Sequence, residues 1–179
     1  MNVNNKIVLK QVPTSDYKRL WEISEKEDDY SWVHFNAPYF NEYKAVSYDQ
    51  FLIDNKKSLE SDHRLGIYYN DILVGQVSHY WENKDTRWLE MGIIIYDDNY
   101  WGKSIGTSSI KQYTTMLFNQ YPEIQRVGYT TWSGNPGMMK IGERLGFTLE
   151  KQIRKVRYYN GVYYDSVGYG VLRDEWMNT

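Results

Sequence analysis

The chain has no cysteine among its 179 residues, which excludes disulfides, thiolate metal sites and a cysteine nucleophile. It also has no excess of positive charge. Against 23 Asp and Glu stand 21 Lys and Arg, for a formal net charge of −2. Nothing equips such a chain to neutralise a run of phosphodiesters, so nucleic acid is not an expected partner. No apolar run approaches the roughly 20 residues that span a bilayer. The opening MNVNNKIVLKQV lacks the charged-then-apolar order of a secretion signal, so no membrane partner and a cytoplasmic location are expected. Internal repeats, low-complexity tracts and Pro/Gly/Ser linkers are absent too, and residues 1–179 read as one domain long enough to bury a core.

What is present in quantity is aromatic surface: 18 Tyr and 7 Trp, which suggests a lined cleft or a large interface. The chain is organised around WLEMGIIIYDDNYWGKSIGTSSIKQYTTM, from Trp88 to Met116. Its apolar, β-branched start, Trp88 to Tyr96, predicts a strand. Ile110, Tyr113, Thr114 and Leu117 follow at the i, i+3, i+4, i+7 spacing of a helix beginning near Ser104. Between them, Asn99 to Gly106 places glycines where a turn feeds a helix N-terminus. Free N–H groups and the helix dipole make that a site for a phosphate. An ordinary glycine turn is the simpler alternative.

Around this stretch, Lys6 to Val12 predicts a short strand closed by Pro13. Thr14 and Ser15 are placed to cap a helix carrying Tyr17, Leu20 and Trp21 on one face. Asp28 to Tyr43 is aromatic and aperiodic, a long loop of the kind that often carries function. Ser47-Tyr48-Asp49-Gln50 reads as a capping box. Arg64–Tyr69 and Ile72–Trp81 form a hairpin at Asn70-Asp71, with the Trp88 strand as a third antiparallel member. Ile124–Trp132 is another strand. Asn135-Pro136 opens a helix that Gly146 ends, and Leu149–Tyr158 and Val162–Leu172 flank the hairpin turn Asn160-Gly161. The order β-α-α-β-β-β-α-β-α-β-β predicts a mixed α/β (α+β) domain. Its sheet, of about seven strands flanked by about four helices, begins antiparallel and gains parallel neighbours around the central helix.

Three spaced motifs in this order resemble the GCN5-related N-acetyltransferase (GNAT) family, and within it the RimJ/RimL-like ribosomal-protein acetyltransferases. They are the strand–turn–helix at Glu90–Thr107, the Trp132-Ser-Gly-Asn-Pro helix ending Arg144-Leu-Gly-Phe147, and the closing hairpin Asn160–Asp165 running to Glu175-Trp176. The resemblance implies the GNAT fold, with a mixed, mainly antiparallel sheet, and acetyl-CoA as acetyl donor. The family's turn, Gln/Arg-x-x-Gly-x-Gly/Ala, falls on Trp101, Gly102, Lys103, Ser104, Ile105 and Gly106, with Thr107 following. Ser104 stands where the family has its first glycine; because backbone N–H groups do the binding, it fits if its φ is negative. The resemblance further implies that the pantetheine arm lies along Ile93, Ile94 and Ile95, with Asn135 reaching it from the opposite side.

Acetylating an amine requires removal of its proton, because an amine of pKa about 8 to 10 is mostly charged at neutral pH. Glu90 is the candidate base: it shares a strand face with Trp88, Gly92 and Ile94, and burial there should raise its pKa. The alternative is a strand-end carboxylate paired with a Lys or Arg. No general acid stands out, since Gly137, Met138 and Met139 cannot donate a proton. A thiol of pKa about 8.5 leaves without one. In the family, the segment between the first two helices covers the acceptor, and the resemblance implies that Trp32, His34, Phe35 and Tyr39 line the acceptor pocket; for each of them, packing on the neighbouring helices is the alternative. His34 and His79 lack metal-ligand spacing, and no metal is expected. Asp165 reads as structural.

The sequence thus predicts an acetyl-CoA-dependent N-acetyltransferase acting by direct attack on a primary amine: a protein N-terminus, a small-molecule amine or a polyamine. The acidic net charge leans towards a cationic acceptor. A catalytically silent acetyl-CoA sensor and a protein-interaction domain remain the competing readings, and a homodimer is the default assembly.

Overall fold

The computed structural model describes residues 6–40 and 42–178. The reading of the extreme N-terminus therefore lies partly outside the described residues, as does Asn41 of the aromatic loop. One mixed sheet of seven strands carries the fold: β1 (Ile7–Lys10), β2 (Arg64–Tyr69), β3 (Ile72–Asn83), β4 (Trp88–Ile95), β5 (Arg126–Trp132), β6 (Thr148–Tyr159) and β7 (Val162–Leu172). Its spatial order is β1-β2-β3-β4-β5-β7-β6. Every neighbouring pair is antiparallel except β4 and β5, which run parallel. Five α-helices accompany it: α1 (Tyr17–Ser24), α2 (Tyr48–Leu59), α3 (Ile105–Gln120), α4 (Pro136–Leu145) and α5 (Arg173–Met177). Four were expected. The fifth is a five-residue segment, too short to show helical periodicity.

The hairpin turns form where the sequence placed them. Asn70 and Asp71 have φ of 49° and 66°, and Asn160 and Gly161 have 47° and 79°. Paired positive φ values match the right-handed twist of the flanking strands. α4 begins as its sequence dictates: the Asn135 side chain accepts the Met138 N–H, Pro136 sits in the first turn, and Gly146 ends the helix at φ 74°. Two caps differ from expectation. Ser47 does accept the Gln50 N–H, but the Gln50 amide turns to Asp54 rather than back to Ser47, so the box is half made. Thr14 and Ser15 lie inside a 3₁₀ turn, and Asp16, at the cap of α1, makes no side-chain capping bond.

Apolar side chains fill both faces of the sheet. On one side Ile110, Tyr113 and Leu117 of α3 pack on Val77, Leu89 and Val127. That is the helical face read from the sequence, now extended by a turn to Gln120. On the other side Leu20, Phe51 and Leu59 of α1 and α2 pack with Trp32 on Tyr68 and Tyr96. Sandwiching the sheet in this way fixes the direction of β4, and one feature of β4 creates the site. It pairs with β5 only at Leu89↔Val127 and Glu90↔Gly128. From Met91 onward the two strands diverge, although β4 stays on β3 to Ile95 and β5 stays on β7 to Trp132.

Candidate active site

The divergence opens a gap whose walls carry unpaired strand backbone. In an antiparallel ladder, alternate residues bond the same neighbour. The Tyr96 N–H donates to the Val74 carbonyl of β3, so the even-numbered residues of β4 face β3. Met91, Ile93 and Ile95 then turn their backbone groups towards the gap. The Ile95 carbonyl is taken by the Trp101 indole N–H at 2.9 Å.

Two hollows meet across this gap. The first is a groove of about 490 Å³ running from Ile93, Ile94 and Ile95 past Trp101, Gly102 and Ser104 to the first turn of α3, with Asn135 and α4 as its far wall. Its floor is a run of free donors: among the described residues, the backbone N–H groups of residues 102–107 meet no protein acceptor. Gly102 (φ 73°) and Ser104 (φ 60°) bracket Lys103, curling successive N–H groups towards one side as in an anion-binding nest. The condition set for Ser104, a negative φ, is therefore not met. The residue holds the left-handed conformation that its glycine counterpart adopts freely, at a cost of about 1–2 kcal/mol. Gly106 packs close to α4: a Cβ there would stand 3.1 Å from the flexible Cδ1 end of Ile141, which would have to give by a few tenths of an ångström.

Lys103 does not line the groove. Its ammonium lies 5.0 Å from the centre of the Tyr100 ring. The cations that do line it were missed from the sequence: Lys140 and Arg144 on α4, one helical turn apart on a single face. Their i, i+4 spacing was the available signal. Trp32, which borders the groove, has its indole N–H buried with no acceptor.

The second hollow, about 280 Å³, lies on the α1–α2 side of the gap. Phe35 and Tyr39 line it as expected, beside residues from β2, β3, β5 and β6 that the sequence did not place in a pocket: Arg64, Gln76, Ser78, Tyr129, Trp132 and Arg157. Phe35, Asn36, Ile93, Ile94, Asn135 and Met138 belong to both hollows, so the groove opens into the cavity at this point. The aromatic loop is pinned over the junction. The Phe35 carbonyl accepts from the Trp132 indole (2.9 Å) and the Asn135 amide (3.2 Å), and the Phe35 ring meets Trp101 edge-on. Asn135 therefore caps α4 and ties the loop to it.

Two expected acceptor residues lie elsewhere. Trp32 is packed in the core against Tyr43 and Tyr96 and borders the groove, not the cavity. His34 is exposed at the end of a 3₁₀ turn, 3.0 Å from Asp29. An aperiodic loop gives no basis for assigning sides, and the 3₁₀ turn at Ser31–His34 rotates the two residues to different surroundings.

Glu90 is not brought to the junction either. It is only 3% exposed, and its Oε1 accepts from Arg126 at 2.7 Å and from the Trp88 indole at 2.6 Å. It faces a separate hollow bordered by Arg126, Thr130 and Glu150. This is the paired-carboxylate alternative, and Arg126 joins Glu90 to Glu150. No Asp or Glu lines the acceptor-side cavity. Asp165 is structural: its carboxylate accepts from the Lys155 N–H and the Gln152 amide. The Gln152 bond is the main cause holding its pKa below the usual carboxylate range.

Residues 6–148 match the model of the acetyltransferase (GNAT) domain family. Across 97% of this chain and 95% of the relative, the sequence is 28% identical to a Bacillus subtilis protein named "Putative ribosomal N-acetyltransferase YdaF". Two solved structures share the fold. The spermidine N-acetyltransferase of Vibrio cholerae in complex with CoA and spermine is 18% identical, covers 96% of this chain and 98% of its own, and superposes with a TM-score of 0.75. A GNAT-family acetyltransferase of Bacillus anthracis is 15% identical over 98% and 100%, with a TM-score of 0.73. Among the described residues, no helix is long and apolar enough to cross a membrane.

Proposed function

This chain belongs to the GNAT acetyltransferase family, and on that premise we propose that it works as one N-acetyltransferase domain. It moves acetyl from acetyl-CoA to a primary amine by direct attack. The observation that carries this reading is the β4–β5 divergence, which joins a groove floored by free N–H groups to a polar and aromatic cavity. Family membership makes the chain an acetyl-CoA-dependent acyltransferase; the primary amine and the residue roles are our assignment.

The groove fits acetyl-CoA on the chemistry of its own residues. The unpaired N–H groups of 102–107 and the α3 dipole suit a pyrophosphate, and Lys140 and Arg144 add charge. Ile93 to Ile95 offer strand backbone to the amide-bearing arm, as an added strand would use it. Acetyl-CoA brings a thioester: the amine nitrogen bonds to the acetyl carbon as the bond to sulfur breaks, and CoA leaves as the thiol with the proton. The Ile93 N–H, at the mouth of the gap, is the donor we assign to the developing oxyanion.

With no carboxylate lining the cavity among the described residues, the proton that the ammonium loses before attack leaves through water, the one shed as the amide forms goes to the departing thiolate, and the reaction relies on positioning. Thiol release from acetyl-CoA with amine acceptors tests the assignment. Turnover with a detectable amide product is expected. Acetyl-CoA binding without turnover on any amine would make this a sensor. Failure of acetyl-CoA in large excess to raise Tm would remove the groove assignment as well.

A further inference from the structure

The charge of the acceptor-side cavity is opposite to that of the chain. Net charge over the whole sequence is −2, but the cavity is lined by Arg64 and Arg157 and by no Asp or Glu. Among the described residues, neither guanidinium has a carboxylate at ion-pair distance, and the Arg64 side chain has no hydrogen-bond acceptor; Arg64 interacts at longer range with the Glu25 carboxylate and the Tyr96 phenol. The Arg157 guanidinium lies against the rings of Tyr39 and Phe40, 5.2 and 5.0 Å from their centres. Its Nε is buried without an acceptor. Its Nη1 reaches only the Val156 carbonyl, at 3.4 Å.

Arg157 is aimed at the cavity by a break in β6. Ile153 pairs with Ser166 and Arg157 with Tyr164, so residues 154–156 stand opposite Asp165 alone. The bulge is closed by the Asp165 carboxylate, which accepts from the Lys155 N–H at 2.9 Å and from Gln152 at 2.7 Å. The Asp165 N–H in turn donates to Ser133 Oγ at 2.9 Å. A bulge of this kind re-aims the side chain that follows it. The guanidinium that lines the cavity therefore carries N–H donors with no carboxylate to take them, and an anionic ligand group is the partner that fits such a fork.

We propose that the acceptor is a small amine that also carries an anionic group, a carboxylate or a phosphate, held by Arg64 and Arg157. Its amine points to the junction at Ile93 and Asn135. The inference rests on the acetyl-transfer reading and names the substrate class of that site. Two guanidiniums without a carboxylate repel a second ammonium, so a polyamine is disfavoured, and a cavity of about 280 Å³ suits a small molecule.

The test uses the full chain, saturating acetyl-CoA and matched pairs of amines. The carboxylate arm sets glycine, β-alanine and 4-aminobutyrate against their carboxamides. The phosphate arm sets O-phosphoethanolamine against ethanolamine, and spermidine completes the panel. For the better anionic arm, kcat/KM should exceed that of its neutral partner by about tenfold or more, the scale of a charge-assisted hydrogen bond. R64Q and R157Q should remove that preference by raising acceptor KM while acetyl-CoA KM holds. R64K and R157K, which keep charge but lose the planar fork, should restore part of it and also guard against a fold effect.

Equal or faster turnover of spermidine or the neutral partners overturns the inference and leaves acetyl transfer standing. A preference that survives in the R64Q/R157Q double variant overturns it too. If no amine turns over, calorimetry with CoA present separates the two ideas. Binding of an anionic amine but not its neutral partner supports the cavity assignment and counts against transfer, whereas binding of neither removes the cavity assignment.

Discussion

The cofactor groove is built from main chain supplied by one continuous stretch, β4 through the first turn of α3, with α4 as its far wall. The acceptor cavity is built from side chains on a loop and five strands, Arg64 and Arg157 coming from strands on opposite sides of the β4–β5 gap. The groove depends on backbone conformation, so it tolerates changes of side chain that leave N–H groups in place. The cavity depends on which side chains arrive, so its chemistry can change without disturbing the groove. If that contrast is right, variants should affect one hollow and spare the other.

The largest separation is expected from Gly106→Asp. A carboxylate in the first turn of α3 suits the helix dipole, and the 3.1 Å approach is to the flexible end of Ile141, so the fold should survive. The same carboxylate repels a pyrophosphate. Acetyl-CoA affinity by calorimetry should fall by about 100-fold or more, the scale of an uncompensated charge at an interface. The effect of acceptor-site substitutions on amine binding should be unaltered. Retained acetyl-CoA affinity would mean that the groove does not bind phosphate through this turn.

The same contrast explains what could be read from the sequence. Backbone features follow from local sequence: the positive-φ hairpin turns at Asn70-Asp71 and Asn160-Gly161, the Asn135-Pro136 helix start and the glycine turn were all visible in a few adjacent letters. Ser104 shows the limit, because its letters left φ open and the structure holds it at 60°. The cavity was legible only at Phe35 and Tyr39. Arg64 and Arg157 converge because the strand order brings β2 and β6 around the gap and the Asp165 bulge turns one of them inward. Neither cause is local. Glu90 was placed on the correct strand and found buried, but Arg126, its partner in the next strand, could not be seen without the β4–β5 register.

Acid should abolish both hollows together. His79 is buried in a network with Tyr113 (2.6 Å), Tyr121 and His63 (3.0 Å each), away from both. Burial, reinforced by His63, lowers its pKa from 6.5 to about 4. Because its folded-state pKa lies below the unfolded value, the unfolded chain binds the extra proton first. Stability is therefore full above pH 6.5 and is lost as pH falls towards 4, by up to about 3 kcal/mol. Denaturant unfolding at pH 7 and pH 4.5 measures the loss, and His79→Gln should flatten it. Loss of acetyl-CoA binding in this window while the fold holds would place a titrating group in the groove.

Glu90→Gln tests where the acceptor cavity ends. Removing the charge from the Arg126 pair should lower stability by about 1–3 kcal/mol, within the range for breaking a buried pair from one side. The shape of kcat against pH from 6 to 9 should not change, because Glu90 faces a different hollow. A kcat deficit of 100-fold or more at unchanged Tm would restore Glu90 as the base and extend the cavity past Thr130.

The smallest effect is the sharpest test of a backbone-built groove. Ser104→Gly relieves about 1–2 kcal/mol of left-handed strain but frees the unfolded chain by roughly 0.5–1 kcal/mol. The net gain in stability should be only about 0.5–1 kcal/mol by these terms. Acetyl-CoA affinity should hold, since φ near 60° at this position is open to glycine and every N–H group stays in place. The serine hydroxyl makes no cap on α3, so nothing in the helix depends on it. An affinity loss of about tenfold, one hydrogen bond's worth to a charged group, would show that the hydroxyl reaches the phosphate. The groove would then read side chains as the cavity does, and the distinction between the two hollows would become one of degree.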